Sequence, residues 1–134
     1  MKANYCCYIT SKETIKYFVP HTIQNKIIRM YLTERNLGFR LSYTEVNIKG
    51  KYPVLLEILK HKYNEVYFYS KEMLPLSFPK IMNRLYDFIL AGGTIIFCIE
   101  NIKLSRGNLD DFLMIEKLSL LSSEGKIENK ISES

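Results

Sequence analysis

The chain has no apolar run approaching the roughly 20 residues that a membrane-spanning helix requires. Its first residues, Met1-Lys2-Ala3-Asn4-Tyr5, lack the apolar core and small-residue cleavage site of a secretory leader, so the expectation is a cytoplasmic protein with no membrane partner. Cysteine is scarce and odd in number, and Cys6, Cys7 and Cys98 all fall in apolar stretches. They read as small buried hydrophobes of a reducing compartment, not as a disulfide framework. There is no Cys-x-x-Cys pair and no Gly-x-Ser-x-Gly elbow, which weakens redox and hydrolase readings. A glycine-rich phosphate loop is missing too: Gly92-Gly93 stands where it ends a helix before a strand. The two histidines have no metal-ligand spacing; His21 opens a helix on the site edge and His61 closes another on the opposite edge. No metal and no cofactor is therefore expected.

What is present suits one domain. The 134 residues are 47% apolar and 25% charged, the composition of a globular chain able to bury a core. A single α/β domain is expected over residues 1–122, with a polar flexible tail over 123–134. The net charge of +5 is uneven: residues 1–62 hold eleven Lys or Arg against four Glu, and residues 63–134 hold eight against ten acids. A basic half suits phosphates, nucleotides or nucleic acid, or it is a solvated surface; its cations are scattered and form no run of five.

Four segments organise the chain. Tyr8-Ile9-Thr10-Ser11, Leu41-Ser42-Tyr43-Thr44-Glu45, Tyr67-Phe68-Tyr69-Ser70 and Ile95-Ile96-Phe97-Cys98-Ile99-Glu100 are each apolar or aromatic runs that end in hydroxyl or carboxylate side chains. Strands are expected at 3–10, 39–46, 65–70 and 94–99. Helices fit between and after them. The first is capped by Thr22, carries Ile23, Ile27, Met30 and Tyr31 at helical spacing and stops at Asn36-Leu37-Gly38; the second opens with Pro53 and buries Leu55, Leu56, Ile58 and Leu59. A third spans about 80–91. The last spans 107–122, with Asn108 as cap and Leu109, Phe112, Leu113, Ile115, Leu118 and Leu121 as its apolar set. Short right-handed crossovers make this a three-layer α/β/α sandwich with a four-stranded parallel sheet, flavodoxin-like in order 2-1-3-4. Apolar positions such as Phe112 and Leu120 belong either to the core or to a homodimer contact.

Parallel strands put their carboxyl ends on one edge, where ligand crevices of open α/β sheets lie. Ser11 follows the first strand, and Gln24 and Asn25 sit in the first turn of the next helix, either as backbone caps or as ligand contacts. Arg29, a turn further on, has the fork geometry for phosphate or carboxylate, unless it is simply solvated. Ser42 and Thr44 share one face of the second strand and Glu45 takes the other; Glu45 is a general base, a hydrogen-bond acceptor for sugar hydroxyls, or a surface carboxylate near Lys49 or Lys51. Glu100 is the sharper acid/base candidate, because an unbroken apolar strand delivers it to the edge. Tyr69 and Ser70 complete the ring.

Two resemblances follow from these residues. Ile9-Thr10-Ser11, Ile23-Gln24-Asn25 with Ile28-Arg29 and Tyr31, Leu41-Ser42 with Thr44-Glu45, Tyr69-Ser70 with Met73-Leu74-Pro75, and Glu100 together resemble the bacterial sporadic carbohydrate cluster proteins over about residues 4–104. That resemblance implies a role in making surface polysaccharide or lipopolysaccharide, with a sugar or sugar phosphate as ligand and a carbohydrate-cluster enzyme as a further partner. More distantly, a strand ending in Ser followed by a helix bearing Gln is similar to the catalytic domain of serine recombinases, or resolvases. It implies a match of Ser11 to the nucleophile that attacks DNA phosphate and of Gln24 to the helix Gln. The supporting Arg cluster of that family has no counterpart in Ser70-Lys71-Glu72-Met73-Leu74-Pro75, which argues against DNA chemistry and against nucleic acid as the partner. Three readings stand: a sugar-binding or sugar-modifying protein, a non-catalytic partner of such an enzyme, and a degenerate resolvase-like nucleic-acid-binding domain.

Overall fold

A computed structural model describes residues 4–10, 19–40, 42–45, 51–60 and 63–118. Ser11, the Asn47–Gly50 loop, the end of the last helix beyond Leu118 and the tail at 123–134 lie outside the described residues. The elements are β1 (Tyr5–Ile9), α1 (His21–Glu34), β2 (Ser42–Thr44), α2 (Pro53–Ile58), β3 (Glu65–Phe68), a 3-10 turn (Lys71–Met73), α3 (Pro79–Leu90), β4 (Thr94–Phe97), β5 (Ile102–Leu104) and α4 (109–118).

The sheet order is β2-β1-β3-β4-β5. The first four strands are parallel, in the expected order. A fifth corrects the expected count: β5 folds back antiparallel on β4, pairing Ile95 with Leu104 and Phe97 with Ile102. Its signal was short, because Ile102-Lys103-Leu104 offers a single polar–apolar alternation. The turn at 98–101 also ends β4 at Phe97, so Glu100 stands on a turn and not at the tip of an unbroken strand.

Alternation along the strands builds two cores. Cys6, Tyr8, Val66, Phe68, Ile95, Phe97 and Leu104 face α2, α3 and α4. Tyr5, Cys7, Ile9, Tyr67, Ile96 and Cys98 face α1, which contributes Ile28 and Leu32. Tyr8 stacks on Phe68 with ring centroids 4.9 Å apart, and Phe97 on Phe112 at 5.5 Å, so Phe112 belongs to the core. On α4 the expected apolar set divides: Leu109, Phe112 and Leu113 are buried while Ile115 and Leu118 are exposed.

Three helix ends explain themselves locally. The α1 chain starts at Pro20, whose carbonyl accepts from Ile23 and Gln24, so Thr22 lies inside the helix and is not its cap. The buried stripe is Gln24, Ile28 and Leu32; Ile23 and Met30, expected inward, are exposed, because a glutamine occupies the position that would have marked the inward face. At the other end Asn36 takes φ 59° while Leu37 N–H returns to Leu32 O and Asn36 N–H to Thr33 O, a Schellman stop. Gly92 at φ 104° closes α3 the same way, with Gly93 N–H on Phe88 O.

Candidate functional site

The carboxyl ends of β3 and β4 carry a connected polar group. Ser70 follows β3 in extended backbone and caps the 3-10 turn, its Oγ accepting from Glu72 N–H at 3.2 Å. The same hydroxyl donates to Glu100 Oε2 at 2.7 Å. Lys71 N–H donates to Glu100 Oε1 at 2.9 Å, so both carboxylate oxygens are held from one neighbouring strand end. Lys71 Nζ reaches across to Glu116 Oε1 on α4, 2.8 Å away. That hydrogen bond, reinforced by the nearby Glu100 and Glu72 charges and opposed by partial burial, holds the Lys71 ammonium above its ordinary pKa.

The turn bearing Glu100 is anchored from the opposite face. Asn101, at φ 53°, accepts at Oδ1 from Tyr31 Oη at 2.8 Å and from the Arg35 guanidinium at 3.1 Å. Arg35 itself lies over the Tyr31 ring, 3.3 Å from its centroid. Glu100 is half-buried, and Ser70 is 3% exposed. A carboxylate held by two donors and still open to solvent is pre-ordered to accept hydrogen bonds from a ligand's hydroxyls, or a proton from one of them. Tyr69 is half-buried, touches both cores, and its carbonyl accepts from Ile99 N–H at 2.9 Å.

The other expected residues do different work. Gln24 is fully buried: its amide nitrogen donates to Thr10 O at 2.7 Å and Val19 O at 2.9 Å, and its oxygen accepts from Thr10 N–H at 3.3 Å. It is a clamp between the end of β1 and the entry to α1, not a ligand contact. Asn25 Oδ1 accepts from the Ser42 hydroxyl, fastening α1 to β2. Arg29 is stacked on Phe39, 4.3 Å from the ring centroid, and Thr44 is exposed. Ser42 and Thr44 do share the α1 face, and Glu45 takes the other.

Glu45 is neither a surface carboxylate nor placed to act as a base. It is 4% exposed and receives Tyr8 Oη at 2.7 Å, Val54 N–H at 2.9 Å and Leu55 N–H at 3.0 Å. It thereby satisfies the first amides of α2, which has no side-chain cap of its own. Burial, with the Glu45 charge beside it, pushes the Tyr8 phenol well above its ordinary pKa. Of the candidates, then, the fold joins Glu100 to Ser70, packs Tyr69 against the cores, and sends Gln24, Asn25, Ser42 and Glu45 to structural posts. Lys71 and Glu116 were missed; only the adjacency of Lys71 to Ser70 pointed to them, since Glu116 is 45 residues away.

Among the described residues no group of three or more His, Cys, Asp or Glu could hold a metal ion, and no helix is long and apolar enough to cross a membrane. The architecture has a solved counterpart in the N-terminal catalytic domain of TP901-1 integrase. The two agree with a TM-score of 0.59 over 96% of this chain and 98% of that one, at 17% identity. The chain has a serine-recombinase-like fold. No protein-family model matches the chain, and no curated protein matches it by sequence. The resolvase-like pattern read from the sequence is therefore supported at the level of fold, whereas kinship with the carbohydrate cluster proteins gains no support from these comparisons.

Proposed function

We propose that this chain is a resolvase-fold domain that binds a sugar at the carboxyl ends of its strands and serves bacterial surface-carbohydrate synthesis. The observation that carries the binding site is the Glu100 carboxylate, held by the Ser70 hydroxyl and the Lys71 amide and still open to solvent. Carboxylates so held are suited to the vicinal hydroxyls of a sugar, whose donors they accept without needing a compensating cation. Ser70 positions Glu100, and Glu100 meets the ligand. A neutral sugar ring, or the ring of a sugar phosphate, is the part that belongs here, because Glu100, Glu72 and Glu116 repel a phosphate. The assignment to surface carbohydrate rests on the sequence resemblance over residues 4–104.

The fold likeness favours a second reading more directly. On that reading the chain is a degenerate resolvase-like domain that binds nucleic acid through its basic half without cutting it. Strand transfer itself finds little footing, since a phosphodiester transition state needs positive charge, and Lys71 is already neutralised by Glu116. A thermal-shift screen of the pure chain against neutral sugars, sugar phosphates, nucleotide sugars and short DNA duplexes separates the two. The sugar reading expects a ligand-specific rise in melting temperature that Glu100→Gln abolishes. Duplex binding that falls steeply with salt, with no response to any sugar, transfers the assignment to the nucleic-acid reading.

A further inference from the structure

A cleft opens at the other edge of the sheet, by the amino ends of β1 and β2. It measures about 480 Å³ and is lined by Tyr5, Cys6, Arg40, Ser42, Tyr43 and Tyr63. That volume lies within the roughly 300–1,000 Å³ of small-molecule sites. The cleft follows from strand register. Tyr5 pairs with Glu65 of β3, but on the other side β1 meets β2 only from Cys7, opposite Ser42, so the first two residues of β1 have no β2 neighbour.

Its chemistry is distinct from that around Glu100. Tyr43 and Tyr63 pack edge to face, ring centroids 5.8 Å apart, with their hydroxyls hydrogen-bonded to each other. Tyr43 is 41% exposed, so an aromatic wall is open to a third ring. Arg40 lies 4.5 Å over the Tyr5 ring and is exposed. Among the described residues it makes no ion pair, in contrast to Arg35, Lys60 and Lys71. The Tyr5 hydroxyl is turned away, donating to Gly38 O at 2.7 Å, and this fixes the ring as a platform beneath the guanidinium. A flat aromatic wall beside an uncompensated, pre-oriented guanidinium is the recognition chemistry of a ring that carries an anionic oxygen group.

We propose that this cleft binds a phosphorylated ring compound, the ring against Tyr43 and Tyr63 and the phosphate on Arg40. The shared chemistry fits a nucleotide or a sugar phosphate. This site is independent of the one at Glu100, and either stands without the other.

Isothermal titration of the full chain tests it with uridine monophosphate, glucose 1-phosphate, uridine and inorganic phosphate as probes. Saturable binding of one or both phosphorylated rings, tighter than uridine or phosphate alone, is the expected result; which one binds names the source. Arg40→Gln is expected to weaken that binding about tenfold or more, as loss of a charge-assisted contact does. Arg40→Lys keeps the charge without the fork and is expected to fall between; it also keeps the test decisive if the glutamine variant folds poorly. Tyr43→Ala is expected to weaken the phosphorylated ring but not inorganic phosphate. Absence of saturable binding, equal affinity for uridine and its monophosphate, or an equal loss in Lys80→Gln on the far side of α3 would each overturn the proposal.

Discussion

The Tyr8 hydroxyl donates to Glu45 Oε1 at 2.7 Å, joining the middle of β1 to the end of β2 inside the core. The same carboxylate accepts the Val54 and Leu55 amides, so one buried side chain ties two strands to the start of α2. Removing it strands three donors. Glu45→Ala is expected to lower the unfolding free energy by about 2–4 kcal/mol, and Tyr8→Phe by about 1–3 kcal/mol. Urea unfolding followed by circular dichroism measures both, and the double variant should cost less than the sum, because the two share one bond.

Gln24→Ala leaves the Thr10 amide, the Thr10 carbonyl and the Val19 carbonyl without their buried partner. The expected loss is about 2–4 kcal/mol, from unmade hydrogen bonds and a cavity together. Gln24→Glu keeps the volume but places an acid in a site with 0% exposure. Its folded-state pKa lies above the unfolded one, so this variant is expected to recover stability as pH falls toward 4. Melting temperatures at pH 4.5 and pH 8, each compared with wild type, decide it.

Glu100 is half-buried, and its replacement should be mild for the fold. Glu100→Gln is expected to cost about 1 kcal/mol or less, and Ser70→Ala about 1 kcal/mol. Stability and ligand response are thereby separable: a loss of sugar binding in either variant, with melting close to wild type, reports the site and not unfolding.

Burial pushes Cys6 up to about 12, Cys7 to about 11 and Cys98 to about 12, with the neighbouring thiol adding to the rise at Cys6 and Cys98. In the unfolded chain thiols ionise near their ordinary value, so the unfolded state releases protons first as pH rises. Stability is complete below pH ~8.5 and falls between there and pH ~11–12, by up to about 1.4 kcal/mol per pH unit for each thiol. The elevated Lys71 and Tyr8 groups act in the same direction. Denaturant midpoints at pH 7.5, 9.5 and 10.5 should decline in that order, and native thiols should resist labelling at pH 8 until the chain unfolds.

At Gly93 an added Cβ would stand 2.5–2.7 Å from the ring of Phe88, a fully buried side chain with no room to retreat. Gly93→Ala is expected to cost about 1–3 kcal/mol, the usual range for an overpacked core, as read from thermal melting.

Much of the fold was legible because strand and helix signals are local. Apolar runs at 5–9, 65–68 and 94–97, Pro53 in a first turn, and the Asn36 and Gly92 stops all act within a few residues. β5 was not legible, since three residues become a strand only when β4 offers them an edge. The inward face of α1 was misread for a related reason: Gln24 is polar in sequence and becomes core only by meeting Thr10 and Val19. The candidate site divides along the same line. Ser70 and Glu100 were singled out as the polar ends of apolar runs, with Glu100 the sharper of the two carboxylates, but that Glu100 stands on a turn after Phe97 and that Glu45 is buried depend on partners distant in sequence.

The sequence alone determined the parallel order of four strands and the edge on which polar residues gather, because alternation and short crossovers depend on neighbours in the chain. Tertiary structure decided which carboxylate is open. Glu45 turns inward to the bare amides of α2, while Glu100, lifted onto a turn by β5 and tethered through Asn101, keeps contact with solvent; partners distant in sequence set that difference in burial and hydrogen bonding.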